Sequence, residues 1–151
     1  MKTIKVIIDT PDKMINLGYK IGSIAYPNML LAMNGDLGAG KTTLTKGIGK
    51  ALNIKRVINS PTFTIMKVYE GTLNLYHLDV YRIENENTDF ELEEYFYLGG
   101  ISVVEWAENI KSLIPTDAIK LTYDILEDAS RKVTIEGNDE FIDKLNDLLG
   151  E

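Results

Sequence analysis

The chain has 151 residues, of which 44% are hydrophobic and 26% charged, with a net charge of −7; that length suits one domain around one core. Its longest uninterrupted apolar run, Met29 to Met33, is far short of the roughly 20 residues that cross a bilayer. The absence of cysteine and the single histidine, His77, exclude thiol catalysis, disulfides and cysteine- or histidine-rich metal sites, while only three arginines, Arg56, Arg82 and Arg131, argue against a surface that itself holds nucleic acid.

The N-terminus, Met1 to Val6, interrupts its apolar residues with lysine, unlike a secretory signal, which predicts a cytoplasmic protein. Thr3 to Ile8 predicts a strand. Thr10-Pro11 then reads as an N-cap followed by proline at the first helical position, with Met14, Leu17, Ile21, Ile24 and Ala25 on one face and a stop at Tyr26-Pro27-Asn28. Met29 to Met33 suits a strand buried on both faces. A helix is expected from about Lys41, with Leu44, Ile48, Ala51 and Leu52 inward. Thr64 to Val80 predicts two strands around a turn at Glu70-Gly71-Thr72, with Asp79 at the end of the second. The acid-rich run Glu84 to Glu94 reads as a solvated face, with a basic partner surface as the other possibility. Beyond Gly99-Gly100, Ile101 to Val104 predicts a short strand ending in Glu105-Trp106, and Ala118 to Glu136 an antiparallel hairpin turning through Glu127 to Ser130. The last helix starts at an Asn138 cap, with Asp139 and Glu140 in its first turn and Phe141, Leu145, Leu148 and Leu149 inward. Together these elements predict a single α/β domain over residues 1–151: a mixed sheet with a parallel core and antiparallel additions, flanked by helices.

The chemistry begins at Gly35 to Thr42, which reads G-D-L-G-A-G-K-T between a predicted strand and a predicted helix. Glycines in such a P-loop let successive N–H groups face phosphate oxygens, and the helix N-terminus adds partial positive charge. Asp36, Leu37, Gly38, Ala39, Gly40, Lys41, Thr42 and Thr43 are therefore expected around the phosphates of ATP or ADP. Lys41 would reach the β- and γ-phosphates and the Thr42 hydroxyl would ligate Mg²⁺. Hydrolysis also needs an acid to hold the metal and a group to orient water. Glu105 and Asp79, each closing an apolar strand, are the candidates: Glu105 for the metal, Asp79 for the water, with the exchanged assignment open. His77 reads as a general base or as a packed, hydrogen-bonded core residue. Trp106 reads as a stacking platform or a core filler, and Ser60-Pro61-Thr62 as a γ-phosphate switch or a plain strand-initiating turn.

The set G-D-L-G-A-G-K-T-T (Gly35 to Thr43), S-P-T-F-T (Ser60 to Thr64), H-L-D-V-Y-R (His77 to Arg82) and V-E-W-A-E (Val104 to Glu108) resembles the TsaE (YjeE) family in identity and order. The resemblance implies a P-loop ATPase that binds ATP and Mg²⁺ and works with the TsaB and TsaD proteins in forming N6-threonylcarbamoyladenosine next to the anticodon of tRNAs reading codons that begin with A; the net charge of −7 adds the expectation that tRNA is met only through those partners. The resemblance also makes Lys41 and Asp79 catalytic, Thr42 and Glu105 metal ligands, Thr62 a switch residue and Trp106 a neighbour of the nucleotide. A small-molecule kinase shares the P-loop, yet such enzymes commonly use several arginines in a lid. A GTPase would carry an N-K-x-D signature that is missing here. A nucleotide-sensing module differs from an ATPase in turnover alone.

Overall fold

The computed structural model describes residues 1–35, 39–61, 65–81 and 91–150. Among these residues seven strands form one sheet: β1 (Lys2–Ile8), β2 (Leu30–Asn34), β3 (Met66–Tyr69), β4 (Leu75–Asp79), β5 (Ile101–Glu105), β6 (Ile119–Ile125) and β7 (Arg131–Gly137). Their spatial order is β1-β7-β6-β2-β5-β4-β3. The inner neighbours β6-β2, β2-β5 and β5-β4 are parallel; β1-β7, β7-β6 and β4-β3 are antiparallel. This is the mixed sheet expected from the sequence. Its parallel strands all finish at one edge, the edge at which open α/β sheets bind ligands.

Among the described residues, four helices flank the sheet: α1 (Pro11–Ser23), α2 (Lys41–Ala51), α3 (Glu91–Tyr95) and α4 (Asp139–Leu149). On one face Leu17, Ile21, Leu44, Ile48, Phe141, Ile142 and Leu145 bury Leu31, Met33, Val103, Leu121, Val133 and Ile135. On the other, Leu92, Phe96, Ala107 and Ile110 cover Leu30, Ala32, Leu78 and Val104. Covered on both sides, β2 and β5 consist of buried residues almost throughout, whereas β6 alternates buried and exposed positions. Thr10 and Asn138 cap as their residue types predict, the first accepting from the Lys13 N–H at 3.2 Å and the second from the Phe141 N–H at 2.8 Å.

The backbones of α1 and α2 approach closely because glycine faces each crossing. A Cβ on Gly18 would lie 1.9 Å from the Leu44 carbonyl oxygen, and one on Gly47 equally close to that of Ile15. Two departures from expectation stand out. Helix α1 ends at Ser23, short of the Tyr26-Pro27 stop, with the Ser23 hydroxyl donating to the Lys20 carbonyl at 2.7 Å. The sequence also did not announce α3 or the 3₁₀ segment Ala107–Leu113, since neither is long enough to display an apolar period. Most of the acid-rich run lies outside the described residues. No helix among the described residues is long and apolar enough to cross a membrane.

Candidate functional site

Strand β2 delivers Asn34 and Gly35 to the edge where the parallel strands finish, and the chain is next described at Ala39, buried, and Gly40, which caps α2 at φ 110°. That conformation suits glycine alone, and a Cβ there would meet the Met14 Cε at 2.8 Å. The predicted contacts Asp36, Leu37 and Gly38 lie outside the described residues, as does Thr62. The first turn of α2 presents Lys41, Thr42 and Thr43 at the positive end of the helix dipole, which favours an anion at this point. Lys41 is only 4% exposed; its ammonium donates to the Gly35 carbonyl at 2.5 Å and lies 3.9 Å from the centre of the Trp106 ring.

Parallel register sets Asp79 beside Glu105, and Glu105 beside Met33, so both acids finish strands flanking the P-loop strand or next to it. They occupy different environments. Glu105 is buried; its Oε2 accepts from the Thr42 hydroxyl at 3.2 Å and lies 2.5 Å from His77 Nε2. Asp79 is half-buried, accepting from the Ser60 hydroxyl at 3.5 Å and from the Tyr81 N–H at 3.0 Å. His77 is fully buried, and its Nδ1 has no hydrogen-bond partner among the described residues. Of its two sequence readings, the packed and hydrogen-bonded one describes it; a base for substrate would need an open path. Burial also pushes the Tyr123 phenol well above its ordinary pKa, with the nearby Glu105 charge adding to the shift.

The Thr42 hydroxyl and Glu105 carboxylate fit Mg²⁺. Both are hard oxygen donors, and their 3.2 Å separation is near the about 2.9 Å between adjacent ligands at 2.0–2.1 Å bonds. No group of three histidine, cysteine or acidic residues that could hold a metal ion occurs among the described residues.

Trp106 has the left-handed backbone φ 62°, ψ 38°, uncommon for a bulky residue, and its half-buried ring contacts both Lys41 and Tyr81, 4.7 Å from the latter's centroid. It is therefore neither a plain core filler nor open to solvent. The 3₁₀ segment behind it ties three strand ends together. Glu108 N–H donates to Asn34 Oδ1 at 3.0 Å, and the Asn109 amide donates to the Val80 carbonyl at 3.0 Å. An open cavity of about 220 Å³ adjoins Ala39, Gly40 and Thr43, walled by Ile8, Thr10, Met14 and Arg131. Sequence reasoning missed it. Its walls come from both ends of the chain, brought together by β1–β7 pairing, and no local signal marks them.

Residues 8–133 match the family model described as threonylcarbamoyl adenosine biosynthesis protein TsaE. A protein of Bacillus subtilis (strain 168), named tRNA threonylcarbamoyladenosine biosynthesis protein TsaE, is 42% identical over 135 residues, covering 89% of this chain and 85% of its own. The protein of the same name from Aquifex aeolicus (strain VF5) is 37% identical over 134 residues, 87% of this chain and 94% of its own. A crystal structure of Bacillus subtilis YdiB matches with a TM-score of 0.84 at 34% identity, over 97% of this chain and 94% of that one.

Proposed function

Since the chain belongs to the TsaE family, we propose that it is a Mg²⁺-dependent ATPase acting with the TsaB and TsaD proteins in the formation of threonylcarbamoyladenosine on tRNA. The observation that carries the ATPase assignment is the convergence of the P-loop helix and two acidic strand ends: Thr42 on Glu105, with Asp79 on the adjacent strand. Lys41, now on the Gly35 carbonyl and the Trp106 face, reaches the β- and γ-phosphates as a point charge. Thr42 and Glu105 would hold the cation, which when bound would supply positive charge against that developing on the transferring phosphoryl group. Asp79, nearer solvent than Glu105, orients the water that adds to the γ-phosphorus as the bond to the ADP oxygen breaks, giving ADP and inorganic phosphate. The cavity beside Gly40 and Thr43 receives the adenosine end, with Ile8 and Met14 as apolar walls and Arg131 at its rim.

A net charge of −7 leaves little with which to neutralise an RNA backbone, so tRNA reaches this protein through its partners. P-loop ATPases are commonly completed by a partner that orders the switch or supplies a missing group; turnover by the isolated chain is accordingly slow. Labelled ATP is the test. Adding both partner proteins should raise phosphate release and permit repeated rounds of modification, and Asp79→Asn should abolish the repeated rounds without preventing assembly. Sustained modification without this chain, tight salt-sensitive tRNA binding by it alone, or transfer of the label to a small-molecule acceptor would overturn the proposal.

A further inference from the structure

His77 takes no part in the chemistry proposed above, yet it is completely buried beneath the site and its ring reaches a metal-binding carboxylate. We propose that His77 is a positioning residue: its imidazole donates from Nε2 to Glu105 Oε2 and so fixes the carboxylate in the orientation that receives the divalent cation beside Thr42. This inference rests on the proposed metal role of Glu105.

The strand geometry explains the contact. The register pairs His77 with Val103 and Asp79 with Glu105, so His77 lies one step back along β4 on the same face as Glu105 and within diagonal reach. A glutamate closing a strand has three side-chain torsions to settle. Here Thr42 and His77 both bond Oε2, while no described residue bonds Oε1. The carboxylate is thus pinned through one oxygen with the other left for a ligand.

Hydrogen-bond accounting selects the tautomer. An ionised carboxylate only accepts, so the nitrogen 2.5 Å from Oε2 must donate. With the proton on Nε2, the unpartnered Nδ1 is merely a lone pair without a donor. The opposite tautomer would set a lone pair against the carboxylate and leave a buried N–H with no acceptor, two unfavourable contacts in place of one. A partner that fixes a ligand's orientation in this way typically changes metal affinity by about 10- to 100-fold when removed.

Three measurements test the inference: ADP affinity by calorimetry in EDTA and in Mg²⁺, Mn²⁺ affinity of the ADP-loaded protein by electron paramagnetic resonance, and the imidazole ¹⁵N spectrum. The last is unambiguous because His77 is the only histidine. His77→Phe, similar in shape but with no donor, should bind ADP in EDTA as the wild type does while losing roughly 10-fold or more in Mn²⁺ affinity. His77→Gln, whose amide can donate, should recover most of that loss. The wild-type spectrum should show a protonated Nε2 and an unprotonated Nδ1. A proton on Nδ1, or unchanged Mn²⁺ affinity in folded His77→Phe, overturns the inference, as does an equal fall of metal-free and metal-dependent ADP binding. Should His77→Phe not fold, the Gln variant and the wild-type spectrum decide. If wild-type ADP binding ignores both metals, the metal site itself is wrong and both proposals fall; if it responds to metal and the variants respond equally, His77 alone has been misassigned.

Discussion

Replacing Lys41 by alanine should weaken ADP binding by roughly 10- to 30-fold. The ammonium can make a charge-assisted contact to a phosphate oxygen, about 3 kcal/mol at the upper end for such a bond. That gain is not all net, because in the free protein the same ammonium is bonded to the Gly35 carbonyl and stacked 3.9 Å from the Trp106 ring centre. Giving up those contacts costs about 1 kcal/mol, the usual scale of a partly desolvated cation–π pair. The difference of about 2 kcal/mol corresponds to the upper end of the predicted range. Alanine is the best helix former and Lys41 opens α2, so the helix itself should persist. Calorimetric titration with ADP and Mg²⁺, with circular dichroism to establish folding, is the assay. Undiminished affinity in a folded variant would refute the placement of the phosphates at the start of α2.

Glu105→Gln should weaken the Mg²⁺ dependence of nucleotide binding by about 10-fold or more, whereas Asp79→Asn should leave binding largely intact and slow hydrolysis; calorimetry with and without Mg²⁺, beside phosphate release, separates the two, and the reverse pattern would exchange their roles. Gly18→Ala places a Cβ 1.9 Å from the Leu44 carbonyl oxygen, an overpacking cost of about 3 kcal/mol less about 1 for helix propensity, so the melting temperature should fall by roughly 4–8 °C. The Asp128 carboxyl accepts from the Ser130 hydroxyl at 2.6 Å and its N–H at 3.1 Å, and these bonds, the hydroxyl first, hold its pKa below the ordinary value. Its contribution to stability is therefore present above the unfolded pKa and is lost as pH falls through the lower folded one. Ser130→Ala should raise the Asp128 midpoint in a carboxyl NMR titration, and an unmoved midpoint would refute the hydroxyl's part.

Much of the architecture is legible in the residue order because its causes are local. Thr10-Pro11 and Asn138 cap helices through their own side chains, the Met29–Met33 run has nowhere polar to face, and alternation at Ile119, Leu121 and Tyr123 marks a sheet with one open side. The P-loop is equally local: strand, glycines, lysine and threonine are consecutive, so motif and chemistry arrive together. Short elements escape this logic. The five residues of α3 and the kinked 3₁₀ segment after Trp106 are shaped by packing against the sheet and by bonds to Asn34 and Val80, not by a repeating pattern.

What the sequence determined by itself is that a P-loop motif and two strand-end acids exist, and that four motifs stand in an order resembling one family. Which acid meets the loop was decided only by tertiary structure. The strand order sets β5 directly beside β2 and β4 one place further out, so Glu105 touches Thr42 while Asp79 turns toward Ser60. The same pairing drops His77 behind Glu105 and joins the two ends of the chain around the cavity beside Gly40. These contacts link residues far apart in the chain, and their existence depends on which strands become neighbours, a choice made by burying the whole apolar surface at once and recorded in no single segment.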